Sequence, residues 1–398
     1  MISKKLPSVV YLWIGQGISS FATSIYTLAL AWYVIELTSS PLQMGTLLFI
    51  AMIPRIILSF ISGAIGDRVS KKKFIITIDL LRFTIAAIWS ISLFSRPVSL
   101  TEIYIFTFIF SAMSSFYHPI YNSMIPDLLD KSNLKLTQAA SINEMVFKIS
   151  MITSPAISGL LVGFISFEQF ILLNASGFLL AALFTSLIKH KGKAKLYDSN
   201  KSIIFDLKKG INYFVNNKII FWSVILITFA NIAVVSYNVN LANLIQHEME
   251  STPSLYGLVL TLFSIGSFLG FLFLSIFKVE NYRGYIYICS LLLAGISFVT
   301  VGVFLNPFSL MLTFFCIGLF FAVVSTISTT ILFEVPSEDY RARIFGIASV
   351  SSLLSPLGYL LWGFVGESVS SSFAISSSGI IIIFVAIIGF FTSLSKFK

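Results

Sequence analysis

Ionisable side chains are scarce inside the apolar stretches of this 398-residue sequence. Each one there needs a reason, because a charge at the centre of a bilayer costs about 2.5–3.5 kcal/mol or more. Glu144 and Lys148 are four apart, on one face of a helix and within pairing reach. From a helix start near residue 137, Lys148 lies about 16 Å along, close to mid-depth. Such a pair can carry a proton, with Glu144 returning to Lys148 when the proton leaves, or it can be a fixed ion pair. Asp79 and Arg82 form a second pair, three apart, and Arg55 follows Pro54 about 21 Å down its own segment, where it should face the protein interior. His118 is the one histidine inside an apolar run and is either a proton relay or a hydrogen-bonded structural group. No second histidine or cysteine stands at ligand spacing, so neither a metal nor another cofactor is expected. Cys289 and Cys316 read as buried small hydrophobes. An enzyme is disfavoured because no nucleophile–base set appears, and ATP-driven pumping because no Gly-x-x-x-x-Gly-Lys-Ser/Thr loop does.

The elements that hold these residues are membrane helices. Hydrophobic residues make up 57% of the chain and charged ones 11%, against about 25% charge in soluble domains. Runs long enough to cross the hydrocarbon, about 20 residues, fall at 8–35, 41–66, 74–95, 99–125, 137–164, 166–188, 219–247, 253–277, 283–304, 306–332, 341–366 and 371–393. An all-α protein of twelve transmembrane helices is expected. The first run follows Lys4 and Lys5 and is too long for a signal-peptide core, so it should be retained. With the N-terminus inside, every Lys and Arg except Arg55, Arg82, Arg96 and Lys148 falls in an inner segment, which places both termini in the cytoplasm. The net charge of +9 is then topogenic and lipid-facing, and nucleic-acid binding is excluded. The polar connection at 189–218 divides six spans from six, giving an N-terminal bundle (1–188), a cytoplasmic linker and a C-terminal bundle (219–398). Within the linker, Ile204, Leu207, Ile211 and Phe214 recur at helical spacing, as in an amphipathic helix on the inner leaflet. Shared fragments relate the halves: Gly45 with Gly257, Ser154-Pro155 with Ser355-Pro356, and Pro126 with Pro336. Parallel repeats of this kind put a substrate site between bundles near the midplane.

The loop after the second span reads Gly63-Ala64-Ile65-Gly66-Asp67-Arg68-Val69-Ser70-Lys71-Lys72-Lys73. It resembles the loop 2–3 signature of the major facilitator superfamily, with Ser70 where glycine is common. Leu37-Thr38-Ser39-Ser40-Pro41, Asp79 with Arg82, Tyr117-His118-Pro119, Pro126-Asp127-Leu128, Asp206-Leu207-Lys208-Lys209-Gly210-Ile211 and Arg341-Ala342-Arg343-Ile344-Phe345-Gly346 resemble the bacterial exporter branch that includes macrolide-efflux proteins. The resemblance covers nearly the whole chain. Thr153-Ser154-Pro155-Ala156 in span 5 is similar to the glycine-proline signature of the superfamily's antiporters, Ser154 replacing glycine; Pro155 is then a bending point, or an ordinary kink. Asp67, Arg68, Asp79 and Arg82 read as a cytoplasmic-side lock on an outward-facing state.

Uncharged polar residues that interrupt spans are expected to line the cavity: Gln16, Tyr121, Asn122, Asn231, Tyr237 and Asn238, with Arg55 as its one arginine. The cluster Ser325, Thr326, Ser328, Thr329 and Thr330 either lines it or packs. Amide and aromatic linings suit poorly hydrated amphiphiles better than sugars or phosphate. The sequence therefore implies a monomeric multi-pass exporter in a bacterial plasma membrane, exchanging lipophilic compounds for protons. A dedicated exporter of one metabolite, siderophore or lipid, a uniporter or symporter, and a non-transporting sensor remain as alternatives.

Overall fold

A computed structural model of the protein describes residues 8–66, 70–129, 136–188, 211–276 and 282–397, and every regular element among them is helical. In chain order they are α1 (Ser8–Thr38), α2 (Pro41–Gly66), α3 (Lys71–Leu93), α4 (Leu100–Leu129), α5 (Leu136–Leu161), α6 (Phe167–Ser186), α7 (Lys218–Val234), α8 (Ser236–Asn243), α9 (Pro253–Ile276), α10 (Arg283–Val303), α11 (Pro307–Glu334), α12 (Glu338–Leu353), α13 (Ser355–Ser368) and α14 (Ser371–Phe390). A π-type turn, Leu244–Glu248, continues α8, and the stretch Lys218–Glu248 counts as one span. Ten helices of the described residues are long and apolar enough to cross a membrane. One of the other two expected spans is occupied by α5, a helix of 26 residues, within which Met145–Leu161 is an apolar stretch that includes Lys148. The run 341–366 is split at Leu354 into α12 and α13, where Pro356, near the start of α13, offers no N–H to a carbonyl of the preceding turn. Of the expected amphipathic linker helix, 203–210 lies outside the described residues. Residues 211–216 are helical, and Phe214 packs there on Ile220, Val224, Leu332 and Ile344.

The chain divides into two compact units. One comprises Met1–Leu37 with Ile50–Asp198, the other Thr38–Phe49 with Ser199–Lys398, so α2 starts in the second unit and ends in the first. Their burial patterns repeat. A shift of 212 residues (283 less 71) takes Ile75, Ile78, Asp79, Arg82, Ala86 and Trp89 of α3 onto Tyr287, Ser290, Leu291, Ala294, Phe298 and Val301 of α10, all buried. A shift of 207 (334 less 127) takes Ile103, Tyr117, Ile120 and Met124 of α4 onto Leu310, Val324, Ile327 and Ile331 of α11, again all buried. The ends repeat as well. Lys71 Nζ lies 2.7 Å from Asp127 Oδ2, and Arg283 pairs with Glu334 at the corresponding positions. Lys72 Nζ donates to the carbonyls of Ser186 and Ile188 at 2.8 and 2.6 Å, holding the C-terminal end of α6. The basic cluster of the loop 2–3 signature thus ties helix ends together as well as orienting the chain.

Glycines permit close approach in the second unit. A Cβ at Gly318 of α11 would collide with the Phe263 carbonyl of α9, and one at Gly266 of α9 would collide with the Phe315 carbonyl of α11. The outer faces are apolar: Phe308, Phe364 and Phe384 are each more than 60% exposed, as a lipid-covered surface requires. Cys289 corrects the sequence expectation, since it is exposed, and Cys316 is only half-buried. Membrane helices are apolar all round, so hydrophobic neighbours do not mark an inward face.

Candidate functional site

The first unit buries a charged cluster. Asp79 is about 12 Å and Arg82 about 16 Å along α3 from Lys71, deeper than the start of a span. Asp79 is fully buried and Arg82 is 4% exposed. Arg82 Nη1 lies 3.6 Å from Asp79 Oδ1, an ion pair without a hydrogen bond. Arg82 Nη2 donates to Ser114 Oγ at 3.0 Å. Its guanidinium carbon sits 4.6 Å from the centre of the Tyr117 ring and 5.4 Å from that of Phe178, so two aromatic faces replace part of the lost hydration. Neither Asp79 oxygen nor Arg82 Nε has a hydrogen-bond partner, although the Tyr117 hydroxyl approaches the carboxylate. Arg55, exposed on α2, is close enough for its charge to act on Arg82. The sequence marked Asp79, Arg82 and Arg55. It did not assign Tyr117, Ser114 or Phe178 to them, since their convergence is tertiary; the only signal was Tyr117 beside His118 in a span.

The other ionisable candidates are less visible. Asp67 and Arg68, and the side chains of Glu144 and His118, lie outside the described residues. Lys148 is exposed on α5. Pro155 is half-buried beside Ser154, which bonds back to the Ser150 carbonyl, while Ser158 Oγ donates to the Ile25 carbonyl at 2.8 Å. The serine just before this proline and the one about a turn after it therefore tie α5 to itself and to α1. No group of three or more potential metal ligands occurs among the described residues.

The residues expected to line a cavity separate by position. Gln16 is buried and donates to Ser20 Oγ at 2.9 Å, with its Oε1 unpaired. Tyr121 is 2% exposed, and its hydroxyl donates to Asn143 Oδ1 at 2.9 Å, whereas Asn122 is exposed. Adjacent helix positions point roughly 100° apart, so the two cannot share a lining. In the second unit Asn231, Tyr237 and Asn238 are half-buried. Tyr237 stands against Phe263, Phe298 and Phe314, with ring centres 5.3, 6.5 and 5.7 Å away. The hydroxyls of Thr326, Thr329 and Thr330 bond back to carbonyls of their own helix, and Ser328 meets Ser223 at 3.4 Å.

Between α1 and α5 in the first unit runs a groove of about 530 Å³, lined by Val10, Trp13, Ile14, Gly17, Ile18, Phe21, Ile142, Val146, Ile149, Ser150 and Thr153. None of the polar residues expected from the sequence to line a cavity belongs to it. Its walls are apolar and aromatic with two hydroxyls, so it can hold a poorly hydrated group and offers nothing to a phosphate or carboxylate. A smaller pocket of about 270 Å³ includes Glu36 and Glu168 beside Tyr33 and Phe167, whose rings stack at 4.1 Å.

Comparison with known proteins gives this arrangement a context. A family profile described as transmembrane secretion effector matches residues 6–398. The chain is 23% identical over 381 residues to macrolide efflux protein A of Streptococcus pyogenes, covering 95% of this chain and 94% of that protein. It is 26% identical over 356 residues to the staphyloferrin A transporter of Staphylococcus aureus, covering 88% and 84%. A solved structure of a bacterial homologue of the human lysosomal transporter Spinster superposes with a TM-score of 0.76 at 13% identity, covering 98% of this chain and 96% of that one. The last likeness shows the fold alone.

Proposed function

Because the chain belongs to the transmembrane secretion effector family of the major facilitator superfamily, and is therefore a multi-pass plasma-membrane transporter of small molecules and not an enzyme, we propose that it exports lipophilic or amphiphilic compounds in exchange for protons. The observation that carries this reading is the α1–α5 groove, whose apolar, aromatic walls suit such compounds. In this reading α5 and the pair α12–α13 complete twelve spans with both termini cytoplasmic, in two six-helix bundles joined by a cytoplasmic linker. The two bundles rock about a central site in a monomeric protein. Asn122, Arg55, Asn231, Tyr237 and Asn238 supply the polar edge of that site, and Asp67, Arg68 and Pro155 take part in gating. Glu144 and Lys148 remain candidates for charge movement on α5. Similarity to macrolide efflux protein A over nearly the whole length supports export of natural products.

A second reading, export of one native siderophore, is favoured by similarity to the staphyloferrin A transporter. Uptake into inside-out proteoliposomes with an acidic lumen separates the two. A radiolabelled macrolide should accumulate several-fold above protein-free vesicles, and collapsing the pH gradient should abolish the difference. Transport of siderophores with none of any macrolide or lipophilic dye would replace the first reading by the second.

A further inference from the structure

We infer that Asp79 takes up and releases the exchanged proton inside the first unit, with Arg82 as its built-in counter-charge. The inference rests on the exporter reading for its physiological meaning and on the buried cluster for its chemistry.

The internal repeat supplies the control. The positions corresponding to Asp79, Arg82 and Tyr117 in the second unit are Leu291, Ala294 and Val324, each fully buried. A bundle of this design therefore packs its third and fourth helices without any charge there. Charges at mid-depth are costly and persist where they act. The first unit carries two at equivalent positions, and a third, Arg55, where the second unit has Ser267.

The geometry fits proton exchange better than a static ion pair. A structural pair is normally closed by direct hydrogen bonds on every remaining lone pair and proton. Here the charges stand 3.6 Å apart with no hydrogen bond between them, and the Tyr117 hydroxyl is the neutral group that approaches the buried carboxylate. Burial penalises the ionised carboxylate while Arg82 favours it, so the two effects oppose one another. The charged or titratable groups facing Asp79 are Arg82 on its own helix and Tyr117 on α4. Arg55 on α2 acts on Arg82, and α6 brings Phe178, which carries no charge. When the carboxylate accepts a proton from hydronium, one O–H bond forms on Asp79 as one breaks in the donor, which leaves as water, and Asp79 becomes a neutral acid. Arg82 stays positive, held by Ser114 and the two rings, and its repulsion from Arg55 is then unopposed. That charge disfavours a cationic substrate beside Arg55; returning the proton to water on the other side relieves it.

The test uses the full-length protein reconstituted in lipid. Infrared difference spectra across a pH titration should show a protonated-carboxyl C=O band that grows as pH falls. The band should vanish in Asp79→Asn and return at a shifted frequency in Asp79→Glu. A titrating band that persists unchanged in Asp79→Asn, or no such band in wild type, overturns the assignment. In the same vesicles, Asp79→Asn should lose the acceleration of labelled-macrolide uptake by a pH gradient, and Asp79→Glu should keep it. Acceleration in Asp79→Asn equal to wild type would refute the inference. If wild type moves no macrolide, the substrate reading fails and the spectra still decide the proton site.

Discussion

With 3.6 Å between them and no shared hydrogen bond, Asp79 and Arg82 are, among the described residues, each other's close counter-charge, so removing one should be worse than removing both. Arg82→Ala leaves a buried carboxylate alone and should destabilise the protein by about 3–5 kcal/mol. Asp79→Leu with Arg82→Ala introduces the residues the second unit already carries at these positions, and should recover most of that loss. Thermal unfolding of the detergent-purified variants measures both; equal midpoints for the single and double variants would show that the charges do not depend on each other. By contrast, Lys71 and Asp127 are 23% and 38% exposed, and breaking their pair should cost about 0.2–1 kcal/mol. At this scale the sequence revealed the charges but not their company. The i, i+3 spacing announced Asp79 with Arg82, whereas Tyr117 and Phe178 converge on the guanidinium from helices whose rotation no local pattern encodes.

Helices in this chain are apolar on every side, and periodicity therefore says little about which face is inward. That is why Cys289 and Tyr121 could not be placed correctly from neighbours alone, while lengths and boundaries of the long spans were readable from hydropathy. The break inside the run 341–366, read from hydropathy as one span, was not foreseen, although Pro356 stands beside it. Close helix contact depends on small residues. Gly318→Leu should drive a side chain into the Phe263 carbonyl and destabilise the second unit by about 1–3 kcal/mol. Gly346→Ala, where an added Cβ meets nothing within 4 Å, should be neutral or stabilising by up to about 1 kcal/mol. A pair of unfolding curves checks this, and equal losses at both glycines would contradict the packing account.

Across the whole molecule, two units share one burial register but not one chemistry. The ion pair, Arg55 and the apolar groove all belong to the first unit, and the second presents Leu291, Ala294 and Val324 where the first has its charges. The sequence hinted at this repeat only through dipeptides such as Ser154-Pro155 and Ser355-Pro356. The burial register makes it explicit because burial is kept where residue identity has drifted. Such asymmetry suits a transporter in which one half carries the exchanged charge and both halves supply the packing that moves. The most direct test of exchange is proton movement itself, read by a pH-sensitive dye sealed inside proteoliposomes of the wild-type protein as substrate is added outside without an imposed gradient. Macrolides or lipophilic cations should change the luminal pH in a dose-dependent way that protein-free vesicles lack. Substrate entry measured in parallel, with no change in luminal pH, would contradict proton exchange.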